Sequence, residues 1–191
     1  MNQKNLLEVD WSKIPAPSDD GATAHLVGMT IPPIGLVATD DTSVTLSALP
    51  GRSVVFAYPR TGEPGRISLV DDWDMIPGAR GCTPQTCSFR DLFAELKAAG
   101  ARQVFGLSTQ SNDYQAEMAS RLHLPFPILS DEKLKLTRAL NLPTMQVAGL
   151  TLIKRLALIV DDGVITHAFY PVFPPDRNAG DVLAWLKENE V

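Results

Sequence analysis

Short apolar runs alternate with amphipathic segments along most of the chain. Three of these runs are rich in β-branched, aliphatic and aromatic residues, as buried β-strands are: Val54–Tyr58, Gln103–Ser108 and Arg155–Val160. Shorter strands are predicted at Val44–Leu46 and Pro125–Leu129. Asp161-Asp162-Gly163 predicts a hairpin turn, because another strand-like segment, Val164–Tyr170, follows it directly.

Four further segments have the apolar spacing of amphipathic helices. In the first, apolar residues stand at i, i+3, i+4 and i+7: Phe89, Leu92, Phe93 and Leu96. The second and third are Asp113–Leu122 and Asp131–Leu140, the latter capped by Ser130 or Asp131. The last begins at Asn178 as its cap and buries Val182, Leu183 and Leu186. Strands joined by helices require parallel pairing and the hairpin adds antiparallel pairing, so we predict an α/β fold with a central mixed β-sheet flanked by helices.

Composition and charge narrow the class of protein. Of the 191 residues, 45% are apolar and 20% charged, which indicates one globular domain with a full core. We expect a polar surface arm over Met1–Asp20 and the domain over residues 21–191. The net charge of −5 argues against a nucleic-acid partner, because phosphate binding needs a basic face. No apolar run reaches the length of about 18 residues that a membrane span needs.

The N-terminal sequence also bears on location. MNQKNLLEVDWSKIPAP lacks the apolar segment of a secretory signal, so we expect a cytoplasmic, reducing location.

The two cysteines of the chain, Cys82 and Cys87, stand at the start of the first predicted helix, in GCTPQTCSFRD. A helix N-terminus presents N–H groups and the positive end of the helix dipole, and both favour a thiolate, which is the nucleophilic form. Pro84 fits this placement, since proline is tolerated in a first turn. In a reducing compartment a close cysteine pair is more often catalytic, redox-active or metal-binding than a permanent disulfide.

Two plainer interpretations of the cysteines remain open at this point. The thiols could be small buried apolar groups without chemistry. A metal site would need further ligands, and neither a second cysteine pair nor a close histidine pair is present to support one; the histidines are His25, His123 and His167.

The spacing of the cysteines has a mechanical consequence. Five residues of α-helix rise about 7.5 Å and turn about 500°, so two helical cysteines at this spacing point to different sides. A disulfide usually needs Cα atoms within about 7 Å and converging side chains. If both cysteines are helical, they join only after the first turn unwinds.

A long loop, Arg60–Gly81, leads into the cysteines. It is rich in glycine and proline, and loops of this length inside a compact domain are usually functional. We expect Trp73 to anchor this loop by packing, rather than to act as a lid over a substrate.

Four stretches together resemble a peroxiredoxin of the bacterioferritin-comigratory or Q-type subfamily. They are VVFAYP (Val54–Pro59), GCTPQTCSFRD (Gly81–Asp91), PFPILSD (Pro125–Asp131) and RLALIVDDGVITHAF (Arg155–Phe169). The resemblance extends from about Leu26 to Leu186. It implies a thioredoxin-like fold and a thiol-dependent peroxidase that needs no cofactor, acts on hydrogen peroxide or small organic hydroperoxides, and is monomeric or homodimeric.

The resemblance also implies the role of each site residue. Cys82 matches the peroxidatic cysteine, which becomes a sulfenic acid, and Cys87 matches the resolving cysteine, which forms an intramolecular disulfide with it. A thioredoxin-like dithiol protein would then restore both thiols. Arg155 matches the arginine beside the thiolate, although it could instead pair with Asp161. Pro59 matches the loop proline that shields the site.

The chain departs from the family pattern at one position. Three residues before the peroxidatic cysteine the family carries threonine or serine, and here the residue is Ala79. Thr61 is the candidate to supply the missing hydroxyl from across the loop. The departure supports one alternative, a non-catalytic thiol redox switch on the same fold. A thioredoxin-like disulfide exchanger is a further alternative. The exchanger is disfavoured because that chemistry usually has two residues between its cysteines.

Overall fold

The computed structural model describes residues 9–190, which contain nine strands and five α-helices. The strands are β1 (Gly35–Ala38), β2 (Ser43–Thr45), β3 (Arg52–Ala57), β4 (Gln103–Ser108), β5 (Ile128–Ser130), β6 (Thr144–Val147), β7 (Leu150–Ile153), β8 (Leu156–Asp161) and β9 (Val164–Phe169). The helices are α1 (Cys82–Asp91), α2 (Phe93–Ala98), α3 (Asn112–Arg121), α4 (Lys135–Ala139) and α5 (Asn178–Glu188).

Seven strands form one mixed sheet, in the order β2-β1-β5-β4-β3-β8-β9. β3 runs parallel to β4, and β4 runs parallel to β5, as expected for strands joined by helical crossovers. β8 runs antiparallel to both β3 and β9, and its turn into β9 is the predicted hairpin. The predicted α/β fold with a central mixed sheet is therefore confirmed.

The sheet separates two hydrophobic clusters because successive side chains of a strand point to opposite faces. On β3, Val55 and Ala57 belong to the cluster that α4 completes. Val54 and Phe56 belong to the other cluster, which α1, α2, α3 and α5 cover with residues such as Phe89. Phe89 stacks on Phe56 with ring centroids 4.1 Å apart, which holds α1 firmly against the central strand. The packing against β3 therefore positions the helix that carries both cysteines.

Two predicted helices differ in extent from the structure. The segment predicted as one helix through Leu96 is divided at Leu92, so that α1 and α2 are separate. The predicted helix Asp131–Leu140 begins only at Lys135, because Leu134 has a left-handed backbone with φ 56°. Asp131 still serves the helix, since its carboxylate accepts hydrogen bonds from the amides of Leu136 and Thr137.

The N-terminal arm is described from residue 9 onward, and the first part of the predicted arm lies outside the described residues. A short 3-10 helix, Trp11–Lys13, begins this segment. Asp20 ends the predicted arm and binds Lys154 and Tyr170 through its carboxylate, at 2.7 and 2.8 Å. Asp20 therefore attaches the end of the arm to the domain.

None of the helices within residues 9–190 combines the length and the apolar character that crossing a bilayer requires.

Candidate active site

Cys82 is the first residue of α1, at the end of the long loop. Gly81 precedes it with φ 107°, a backbone conformation that favours glycine, and this lets the loop turn directly into the helix. The Cys82 side chain is only 3% exposed. Its position places the sulfur at the positive end of the helix dipole, as the sequence predicts.

Arg155 lies immediately before β8 and reaches the sulfur of Cys82. Its Nη2 donates to Sγ of Cys82 at 3.3 Å. The same nitrogen lies 3.1–3.2 Å from the backbone carbonyls of Gly78, Ala79 and Arg80. Arg155 is 2% exposed, so its charge acts on the sulfur with little screening by water. One guanidinium thus fixes the end of the loop and approaches the sulfur at once.

The alternative partner for Arg155, Asp161, is excluded by the structure. Asp161 receives hydrogen bonds from Arg52, at 2.7 Å from Nε and 3.0 Å from Nη2. These bonds lower the pKa of the Asp161 carboxyl. The Asp161 carboxylate lies at the opposite end of β8 from Arg155. Arg155 instead contacts the end of the long loop that leads into Cys82.

Gln85 is a site residue that sequence reasoning missed. Its Oε1 accepts from Nη1 of Arg155 at 2.5 Å, and its Nε2 donates to Oδ1 of Asn178 at 2.9 Å. Asn178, predicted as the cap of the last helix, is instead its first residue, and its side chain binds Gln85. The sequence held one signal for Gln85, which is a polar residue on the apolar side of the helix that carries the cysteines. A polar group buried on that side needs a hydrogen-bond partner.

Cys87 lies on the same helix but in a different environment. It is 6% exposed and packs in the cluster of Phe89 and Leu96. Burial raises the pKa of the Cys87 thiol. Both cysteines are free thiols on one continuous helix. The helical geometry that the spacing predicts to oppose a disulfide between them is therefore present.

Ala79 occupies the family's hydroxyl position and is fully buried. It belongs to a small cluster with Trp73, Val147 and Leu152, so Trp73 anchors the long loop on the β6–β7 hairpin as expected. Ala79 contributes its carbonyl to the site, because both Arg155 and the Cys82 thiol approach that oxygen. The methyl group of Ala79 suits this apolar cluster.

Thr61, the candidate for the missing hydroxyl, is buried and bound elsewhere. Its Oγ1 donates to Oε1 of Gln110 at 3.1 Å, and its backbone N–H donates to the same oxygen at 2.9 Å. Tyr114 donates from its hydroxyl to the carbonyl of Thr61. The beginning of the loop is therefore held by α3 and the segment before it. Pro59 is likewise buried, with its carbonyl accepting from Ser108.

A small cavity of about 110 Å³ adjoins Arg155. Its walls come from the arm, the end of the long loop, β6, the connection between β7 and β8, and the segment after β9. The lining residues are Pro17, Ser18, Asp20, Pro77, Gly78, Met145, Lys154, Tyr170 and Pro171. Among the described residues, Nε of Arg155 is a buried donor without a hydrogen-bond partner. The cavity lining therefore combines apolar side chains with the charged groups of Asp20, Lys154 and Arg155.

Comparison with known proteins shows the family to which the chain belongs. The Redoxin family model matches residues 26–183. The chloroplastic peroxiredoxin Q of Sedum lineare is 32% identical over 162 residues, covering 84% of this chain and 77% of the relative. The chloroplastic peroxiredoxin Q of Triticum aestivum is 30% identical over 177 residues, covering 88% and 73%.

Solved structures give the same result for the fold. The crystal structure of peroxidoxin BcpB from Mycobacterium tuberculosis superposes with a TM-score of 0.69 at 25% identity, covering 86% of this chain and 98% of that one. Xanthomonas campestris peroxiredoxin Q superposes with a TM-score of 0.65 at 23% identity, covering 92% and 98%. The predicted thioredoxin-like fold is confirmed. The chain belongs to the Redoxin family, within its Q-type peroxiredoxins, and is a thiol-dependent peroxidase.

Proposed function

We propose that Cys82 is the peroxidatic cysteine and that it attacks hydrogen peroxide or a small organic hydroperoxide. The observation that carries this assignment is the 3.3 Å approach of Arg155 Nη2 to Cys82 Sγ, at the first residue of a helix. A fixed cation and a helix N-terminus both favour the thiolate. Burial raises the pKa of the Cys87 thiol and outweighs the opposing charge of Arg90, so Cys87 is the weaker nucleophile in this conformation.

The first step is a displacement on oxygen. The Cys82 thiolate attacks one peroxide oxygen, the O–O bond breaks, and the other oxygen leaves as water or an alcohol after taking a proton. The sulfur keeps the attacked oxygen as a sulfenic acid. The unpartnered Nε of Arg155 supplies a donor for a peroxide oxygen. Among the residues of the cavity, Pro77, Met145 and Tyr170 provide contact for a short alkyl group.

The second step joins the two cysteines. The Cys87 thiolate attacks the sulfenic sulfur, the S–O bond breaks with loss of hydroxide as water, and a disulfide forms. The first turn of α1 unwinds for this step, because helical geometry keeps the two sulfurs apart. A thioredoxin-like dithiol protein then returns both cysteines to thiols by disulfide exchange.

Location and assembly remain predictions from the sequence. A reducing, cytoplasmic compartment suits two free thiols that depend on a dithiol reductant. A single chain carries both cysteines and Arg155, so the proposed cycle is complete in a monomer and equally in each subunit of a homodimer.

Peroxide consumption coupled to thioredoxin, thioredoxin reductase and NADPH tests the proposal. The wild-type protein is expected to consume hydrogen peroxide and tert-butyl hydroperoxide over many turnovers, and Cys82→Ser is expected to consume neither. Cys87→Ser serves as the matched control, since it keeps the first step and stops cycling with thioredoxin. Sustained turnover by Cys82→Ser would overturn the assignment.

A further inference from the structure

The described part of the N-terminal arm lies along the end of the active-site loop. At one end, Nε1 of Trp11 donates to Oδ2 of Asp176 at 2.9 Å. The Trp11 ring also meets Phe173 edge to face, with centroids 6.0 Å apart. Further along, Pro17 lies against Gly78, where an added β-carbon would be 3.7 Å from Cβ of the proline. The arm therefore contacts the segment after β9 through Trp11 and the loop through Pro17, before Asp20 binds Lys154.

The closest of these contacts is at the residue before Cys82. A β-carbon added to Gly81 would lie 2.7 Å from Cη2 of Trp11 and 2.6 Å from Cγ of Pro175. Such distances leave no room for a side chain, so the indole ring and the proline lie directly on the Gly81 backbone. The start of α1 is thus covered by one residue from each end of the chain.

We propose that Trp11 is a positioning residue that holds Gly81 and Cys82 in the helical, peroxide-reactive conformation and must leave before the disulfide forms. This inference rests on the two-cysteine cycle proposed above. Unwinding the first turn of α1 moves Gly81, and the indole ring then loses the surface on which it packs. Contact of Trp11 with the folded start of α1 therefore stabilises the helical form over the unwound one.

The coupling works in both directions, because two linked equilibria affect each other equally. Docking of Trp11 slows the disulfide step and prolongs the life of the sulfenic acid. Formation of the disulfide in turn loosens the arm. Loss of the indole ring is expected to speed disulfide formation by about fivefold, at the low end of typical couplings between sites. It is expected to slow the first oxidation, since less of the protein has α1 fully formed.

Rapid mixing with hydrogen peroxide separates the two steps. Quenched samples are trapped with dimedone, which labels the sulfenic acid, and are then analysed by mass spectrometry. Trp11→Ala is expected to accumulate less sulfenic acid, to form the disulfide about fivefold faster and to resist overoxidation. Trp11→Phe keeps an aromatic ring against Gly81 while losing the bond to Asp176, and is expected to restore most of the wild-type partition.

Trp185→Ala is the matched control for loss of an aromatic ring. Trp185 stacks on His167, with centroids 4.9 Å apart, and Arg52 lies over its face. This variant is expected to keep the wild-type ratio of the two rates. An equal change in Trp11→Ala and Trp185→Ala would mean that only general stability matters, and would overturn the proposal.

Limited proteolysis supplies a second measurement that does not depend on rates. Lys13 is the cleavage site for trypsin in the described arm, and its side chain is 79% exposed. Cleavage after Lys13 is expected to be faster in the disulfide form than in the reduced form. Equal cleavage in both forms, with normal oxidation chemistry, would overturn the arm proposal alone. Failure of every variant and the wild type to oxidise Cys82 would overturn the proposed function instead.

Discussion

Gln85 Oε1 accepts a hydrogen bond from Arg155 Nη1 at 2.5 Å, one turn of helix after Cys82. This bond fixes the plane of the guanidinium, so that its other nitrogen can approach the sulfur. The amide of Gln85 is itself fixed by Asn178 at the start of α5. The orientation of the cation therefore depends on a buried polar chain that runs from α5 through α1 to β8.

Replacing Gln85 is expected to misalign Arg155 without removing its charge. Gln85→Met keeps the side-chain length, leaves a buried guanidinium donor unpaired, and is expected to lower the free energy of unfolding by about 1–3 kcal/mol. It should slow the oxidation of Cys82 by about tenfold, because positioning contributes directly to rate. Gln85→Glu keeps an acceptor for Nη1 but adds a charge beside Arg155 and loses the donor to Asn178, so it separates the bond to Arg155 from the neutral amide that makes it. Stopped-flow oxidation and denaturant unfolding measure both quantities; an unchanged oxidation rate in Gln85→Met would show that the bond is only structural.

Removing the charge of Arg155 should slow the oxidation of Cys82 more than replacing Gln85 does. Arg155→Met removes the cation that lies 3.3 Å from the Cys82 sulfur and is expected to slow peroxide attack by about a hundredfold. Arg155→Lys keeps a charge but loses the fork that binds Gln85 and the sulfur together, so it should restore only part of the rate. The stopped-flow rate of Cys82 oxidation in the three proteins distinguishes the charge from the fork. Wild-type values in Arg155→Met would mean that the sulfur draws its positive field from elsewhere.

Restoring the family's threonine should not improve this enzyme. Ala79 packs with Trp73, Val147 and Leu152, so a hydroxyl at this position would enter an apolar cluster. Ala79→Thr is expected to lower the free energy of unfolding by about 1–3 kcal/mol and to leave peroxide attack no faster. Ala79→Val has nearly the same shape without the hydroxyl and is the matched control. Faster oxidation in the threonine variant than in the valine variant would show that the hydroxyl reaches the peroxide.

The disulfide step should depend on pH through Cys87. Burial raises the pKa of this thiol, so less of it is thiolate at neutral pH than for an exposed cysteine. The attacking species is the thiolate, and the step should accelerate as the pH rises toward the raised pKa, by up to about tenfold per pH unit below it. The folded helix prefers the neutral thiol, so its extra stability is present at low pH and is lost as the pH rises through the raised pKa.

Double mixing measures this dependence directly. Peroxide is added first, and the pH is changed only after Cys82 has been oxidised. A disulfide rate that stays constant between about pH 6 and pH 9 would contradict ionisation of Cys87 as the control.

The sequence predicted the elements that have a strong apolar period. The strands that hold the site, β3 and β8, and the helix that carries both cysteines follow from local patterns alone. The position of Cys82 and Cys87 at a helix start singled them out, and the resemblance to a family implied their roles and added Arg155. The structure brings Cys82 and Arg155 together. The separation of the cysteines on one helix follows from residue counting and helical geometry.

The sequence did not predict features that depend on uncommon backbone conformations or distant contacts. The β6–β7 hairpin was missed because Ala148 takes a left-handed conformation, φ 49°, that alanine rarely adopts in a turn. Gln85 and Asn178 lie 93 positions apart, and their hydrogen bond has no local signature. The cover over Gly81 also joins distant segments, since Trp11 and Pro175 meet only in the folded chain.

The roles of the two sulfurs are the central claim, and trapping of the sulfenic acid tests them most directly. Each single-cysteine protein is mixed with one equivalent of hydrogen peroxide in the presence of dimedone, and the modified residue is located by mass spectrometry. Cys87→Ser is expected to carry one dimedone group on Cys82, formed as fast as the wild-type protein reacts with peroxide. Cys82→Ser is expected to remain unmodified over the same time. Rapid labelling of Cys87 in Cys82→Ser, with slow labelling of Cys82 in Cys87→Ser, would contradict the account.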